Sequence, residues 1–185
     1  MRELITYAKA HPGRLNFASA GNGGPTHLAG ELLKISALID IVHVPYKGNA
    51  AALLDLVAGR VQIMFSNMLT SMPHVRAGKL RAIGISSPTR SPQAPDLPTI
   101  AESGLPGFSA VPWYGALGPA GLPRPIVNKV NSEITRALVQ FDMQERFVAQ
   151  GIDLQSSSPE QFGALIKSEV VKWRKVVRDA GVKVD

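Results

Sequence analysis

No cysteine occurs among the 185 residues, which excludes disulfides, thiol nucleophiles and thiolate metal sites. Charged residues are sparse, at 18% against 45% hydrophobic, a balance that fits a folded globular chain and not a disordered one. No run approaches the ~20 apolar residues that span a bilayer. No signal peptide is visible either: MRELITYAKA is an amphipathic pattern without an apolar core segment. Aromatics make up only 6% and do not interleave with the basic residues, so no nucleic-acid partner is expected. His11, His43 and His74 stand in unrelated elements without metal-ligand spacing, and neither a metal nor a cofactor is expected.

Acid is in the minority: 14 Asp plus Glu face 20 Lys plus Arg, giving +6. That balance suits the attraction of small anions. The one basic cluster, Lys172, Arg174, Lys175 and Arg178, falls on a helical pattern and reads as a solvated face.

Glycine, by contrast, is concentrated where it matters. The stretch 14–34, RLNFASAGNGGPTHLAGELLK, reads as a short strand, a glycine-rich bend and an amphipathic helix. Gly21, Gly23 and Gly24 give the bend its backbone freedom, and Pro25 suits the first helical turn because it has no N–H to leave unpaired. Such a bend is expected to present free backbone N–H groups at a helix start, where the dipole also favours anions.

Along the chain the pattern predicts a helix over 2–10, strands at 15–19, 41–44, 61–65 and 80–85, and helices over 26–37, 50–59 and 70–77, with Asn49 as a cap. This alternation argues for an α/β fold with a mostly parallel sheet. Residues 86–108 are rich in Pro and Ser and read as a surface connection with a short helix at 98–103. A further strand is expected at 109–118. Ile126, Val130, Ile134 and Leu138 then lie four apart on a helical face. A short helix follows over 142–150. The last helix starts at the capping-box pattern Ser158-Pro159-Glu160-Gln161, with a stripe of Phe162, Leu165, Ile166, Val170, Trp173 and Val177.

Ligands of a parallel sheet gather at the carboxyl ends of its strands. Three loops qualify there: 19–26, 45–49 and 66–70. They hold small polar residues, no arginine and one cation, Lys47. A dinucleotide fingerprint fails, since Thr26 occupies its third glycine position and Asp40 precedes the second strand. No Gly-Lys-Ser/Thr follows the bend, so it is no phosphate loop. His27 and Glu31 sit four apart, as an acid–base pair or, more plainly, as a structural hydrogen bond at the helix base. Ser19 lacks the G-x-S-x-G setting of a hydrolase elbow, and no catalytic set is formed. A small α/β enzyme using His27 with Glu31 or Ser19 stays open as the alternative.

Several long motifs together resemble the Bug family of extracytoplasmic substrate-binding proteins of tripartite tricarboxylate transporters. They are LNFASAGNGGPTHLAGELLK, IVHVPYKGNAAALLDLVAGRVQIMF, PHVRAGKLRAIGISSPTRSPQAPDLPTIAESGLPGF, WYGALGPAGLPRPIVNKVN and SPEQFGALIKSEVVKWRKVV, in order over essentially the whole chain. The resemblance implies a type II periplasmic-binding-protein fold, two α/β lobes closing on a small organic carboxylate or dicarboxylic amino acid. It implies membrane transporter subunits as partners and a periplasmic location. By position, Ser19, Ala20, Gly21, Gly23, Gly24, Thr26 and His27 look like the second-lobe anion loop, with Tyr46, Lys47 and Asn67 as its neighbours.

Two departures from the family pattern stand out. Ser66 replaces the aspartate usual before the asparagine of the third-strand loop, which alters the charge of the cleft. The chain also begins inside the second lobe, without a signal peptide or most of the first lobe. Residues 1–108 are then expected to form the second, ligand-binding lobe. Residues 109–185 would supply a crossover strand and C-terminal helices, completing that lobe and part of an incomplete first one. Uncovered apolar helix faces would make a homodimer a natural outcome.

Overall fold

Parallel strands need a crossover to bring the chain back, and each strand-like run here is followed by an amphipathic segment. In the computed structural model, which describes residues 1–183, that alternation forms a three-stranded, all-parallel sheet. The elements are α1 (Arg2–Ala10), β1 (Asn16–Ser19), α2 (Pro25–Ala37), β2 (Val42–Pro45), α3 (Asn49–Val57), β3 (Ile63–Met64), α4 (Met68–Arg76), α5 (Arg124–Leu138), α6 (Phe141–Ala149) and α7 (Pro159–Asp179). The strand order is β2-β1-β3, with Phe17 opposite His43 on one side and Ile63 on the other. Two compact units result: Met1–Pro112 together with the chain from Trp173 onward, and Trp113–Lys172.

In the first unit the central strand is buried on both faces, as a parallel strand flanked by helices must be. Phe17 joins Ala29 and Leu33 of α2, Ala8 of α1, Ile100 and Phe108 in one core, against which Trp173 also packs. Ala18, the next residue, points the other way and joins Ala52 of α3 and Val61 in a second. Gly30 lets α2 approach the strand: a Cβ there would stand 2.1 Å from Cε2 of Phe17.

Several expected elements differ. Among the described residues, 80–85 forms no fourth strand. Its pairing shrinks to a single bridge, Ile85 with Thr99, because Ile85 N–H bonds to Pro98 O and Ile100 N–H to Ile85 O. Residues 109–118 form no strand, although Ala110 N–H donates to Ser86 O at 2.9 Å. Residues 98–103 form a turn and not a helix, held by a reciprocal pair: Glu102 N–H donates to Thr99 Oγ1 at 3.0 Å and Thr99 N–H to Glu102 Oε2 at 2.8 Å. Asn49 lies inside α3, whose cap position is Gly48, so it caps nothing.

The second unit holds α5, α6 and the start of α7. The expected box at Ser158 is present: Gln161 N–H donates to Ser158 Oγ at 3.2 Å, and Ser158 N–H to Gln161 Oε1 at 2.9 Å. Arg124 pairs with Glu160 and holds its carboxyl below the ordinary range. Trp113 meets the Phe162 ring edge-on, with centroids 5.4 Å apart. The expected buried stripe of α7 is only half covered, since Leu165 and Val170 are exposed. Along α5, Ile126, Val130 and Ile134 are 48%, 48% and 37% exposed.

Candidate functional site: the glycine loop at the sheet edge

Because all three strands run the same way, the loops after β1, β2 and β3 leave one edge of the sheet. The order β2-β1-β3 puts the glycine loop in the middle, with Tyr46 and Lys47 on one side and Ser66 and Asn67 on the other. The β2 loop is stapled to it: Tyr46 N–H donates to Ser19 O at 3.0 Å and Gly48 N–H to Ala20 O at 3.2 Å. Gly21 and Gly23, at φ +144° and +69°, adopt backbone that favours glycine and turn the chain into α2.

The bend does not carry a row of bare amides. Ala20 N–H donates to Thr26 Oγ1 at 2.9 Å, Gly21 N–H to Ser19 Oγ at 3.2 Å, and Gly23 N–H to His27 Nδ1 at 3.0 Å. This corrects the expectation of free donors at those three positions, and the reason is local: Ser19, Thr26 and His27 supply acceptors within reach. The start of α2 is different. Gly24 has no side chain to cap it and Pro25 has no N–H, so the cap residue satisfies neither the Thr26 nor the His27 N–H. Helix-start N–H groups of this kind carry partial positive charge.

The flanking residues divide. Tyr46 Oη donates to Asp55 Oδ2 at 2.9 Å, and Arg60 Nη1 to Asp55 Oδ1 at 2.7 Å. Burial, followed by the hydrogen bond to Asp55, raises the Tyr46 phenol, and the Tyr46 and Arg60 hydrogen bonds lower Asp55. Asn67 Oδ1 caps α4, accepting from Thr70 N–H at 3.0 Å and Thr70 Oγ1 at 2.6 Å. Ser66 Oγ lies 3.3 Å from Thr70 Oγ1 in the same turn. Lys47 is exposed.

Beneath the loop lies a polar cluster that sequence reasoning only half found. His27 and Glu31 are both buried, with Nε2 3.6 Å from Oε1, and Lys34 Nζ lies 3.0 Å from Glu31 Oε2. His43, expected to stand apart, stacks on His27 with ring centroids 3.7 Å apart and 9° between planes. Its Nε2 is 2.6 Å from Ser19 Oγ. The signal in the sequence was one polar ring between Val42 and Val44, and the register sets it opposite Phe17. Burial lowers the proton affinity of both rings. It pushes His43 down to about 4, aided by His27 and Lys34, while Glu31 opposes the fall at His27.

The Ser19–His43 pair has the spacing of a nucleophile and its base, but Ser19 is 0% exposed and its hydroxyl belongs to the loop. No substrate carbonyl can reach it, which removes Ser19 as the nucleophile of the enzyme alternative.

A parallel sheet whose central loop opens a helix, flanked by two polar turns, defines an α/β domain of the periplasmic-binding-protein kind. The chain matches the tripartite tricarboxylate transporter family receptor (TctC) profile over residues 1–182, and it belongs to that family of receptors. It is 42% identical to the UPF0065 protein in the tcbD-tcbE intergenic region of Pseudomonas sp., over 95% of this chain and 52% of that one. To protein BugT of Bordetella pertussis it is 38% identical, over 98% of this chain and 56% of the relative. Among solved structures, it superposes on an R. palustris protein with adipate at a TM-score of 0.82 and 32% identity, covering 98% of this chain and 61% of that one. MatC from Rhodopseudomonas palustris, with bound malate, gives 0.73 and 36%, covering 96% and 61%. The chain spans about half the length of the curated relatives it matches.

Proposed function

We propose that this chain serves a solute receptor that captures a small carboxylate in the periplasm for a tripartite membrane transporter. The observation that carries the reading is the uncapped start of α2 behind the Gly21–Gly24 bend, at the carboxyl edge of a parallel sheet. Neutral and main-chain donors suit a carboxylate held without an arginine clamp. Solved neighbours carry adipate or malate, which makes a dicarboxylate the favoured class. Ser19, Ala20, Gly21, Gly23, Gly24, Thr26 and His27 form the anion loop in this reading, with Lys47 adding positive charge at its rim. Tyr46 and Asn67 support their own turns first.

Lobe closure would supply the rest of the grip. This chain matches 61% of the adipate-bound neighbour, and weak binding by the chain alone is the expected outcome, with Kd above about 1 µM. Calorimetric titration with adipate and malate tests this; sub-micromolar binding by a monomer would refute it. The exposed stripes of α5 and α7 favour self-association through the second unit. Light scattering that shows a monomer at all concentrations would count against that part.

A further inference from the structure

His27 holds the Gly23 N–H through Nδ1, at 3.0 Å. A ring nitrogen that accepts carries no proton, so the neutral ring bears its hydrogen on Nε2, on the side of Glu31. Protonation fills Nδ1 with a second N–H, which turns two donors toward each other and expels the Gly23 amide. We propose that His27 is a positioning residue for the glycine loop: its neutral ring latches the Gly23 N–H, and proton uptake hands that N–H to a bound carboxylate. The proposal rests on the reading of this loop as the carboxylate site.

The surroundings fit such a role. Facing His27 are Glu31 and Lys34 from its own helix and His43 from β2, stacked at 3.7 Å, with Ser19 of β1 reached through His43. Phe17 lies on the same side, its ring centroid 6.2 Å away. The half-buried His43 ring stacks within 9° of the plane of His27, whose Nδ1 meets the Gly23 N–H. Glu31 stands ready to stabilise a charged ring. Burial favours the neutral ring. A carboxylate at the loop brings a second negative charge, which favours the protonated ring and removes the need for Nδ1 as acceptor. By linkage, anion capture and proton uptake strengthen each other by the same factor.

The test is an NMR titration of the full chain between pH 7.5 and 5, following backbone amides and histidine ring carbons, with and without adipate. The latch predicts that the Gly23 amide and the His27 ring titrate together, with a midpoint below 6.5, the ordinary histidine value. Saturating adipate should raise that midpoint by about half a unit or more, equivalent to about threefold coupling. In His27→Gln the Gly23 amide should lose its titration, whereas His43→Gln should keep it. A Gly23 amide that ignores the His27 ring overturns the latch. An adipate-perturbed loop with an unmoved His27 midpoint overturns the hand-over alone. No adipate shift anywhere in the loop overturns both the hand-over and the carboxylate reading, and the ligand-free titration still decides the latch.

Discussion

The ring of Phe17 lies flat against the backbone of Gly30, so closely that a methyl group on Gly30 would overlap three ring carbons at 2.1, 2.5 and 2.7 Å. This contact sets how near α2 sits to the sheet, and so where the glycine loop ends. Gly30→Ala should lower stability by about 2 kcal/mol or more, because overpacking a filled core forces backbone shifts. Urea unfolding checks this, and Phe17→Leu in the same chain should recover part of the loss.

The end of α2 carries strain of a different kind. Leu38 adopts the left-handed conformation, at φ 52°, with its side chain 81% exposed. A leucine there gains nothing from packing, and glycine accepts that conformation freely. Leu38→Gly should therefore raise stability, by about 1 kcal/mol, with a matching rise in thermal midpoint. An unchanged or lowered midpoint would show that the strain is absent.

Acid should weaken the fold through the half-buried His43 ring. His43 is pushed down to about 4 in the folded chain, from an ordinary 6.5. Between those values the unfolded chain binds more protons, so stability is full above 6.5 and falls as pH drops toward 4. Urea midpoints across this window should fall less steeply in His43→Phe than in the wild type.

Much of this was legible in the sequence, and the failures share a cause. Strand, bend and helix at 15–37 declare themselves through apolar period, glycine and proline, all local signals. The Ser158 box is equally local and is present as expected. What the sequence hid depends on partners far along the chain. LRAIGI has the composition of a strand, yet residues 98–100 take the Ile85 hydrogen bonds and leave a single bridge. His43 looked isolated because its neighbours, Ser19 and His27, come from β1 and α2. The glycine amides looked free because nothing in composition reveals that Ser19, Thr26 and His27 turn back onto them.

Tyr46 separates a ligand contact from a structural one. Its hydroxyl already donates to Asp55. Tyr46→Phe should leave adipate affinity within about twofold, since the loop keeps its staple through the Tyr46 main-chain N–H. A larger loss in calorimetry would make the phenol part of the ligand shell.

The central claim is that an anion docks at the start of α2, in the Gly21–Gly24 bend. Amide chemical-shift mapping with adipate reads this directly. The account predicts that the largest changes fall on Gly23, Gly24, Thr26, His27 and the adjoining Lys47. Shifts confined to other parts of the chain, or none at millimolar adipate, would contradict it.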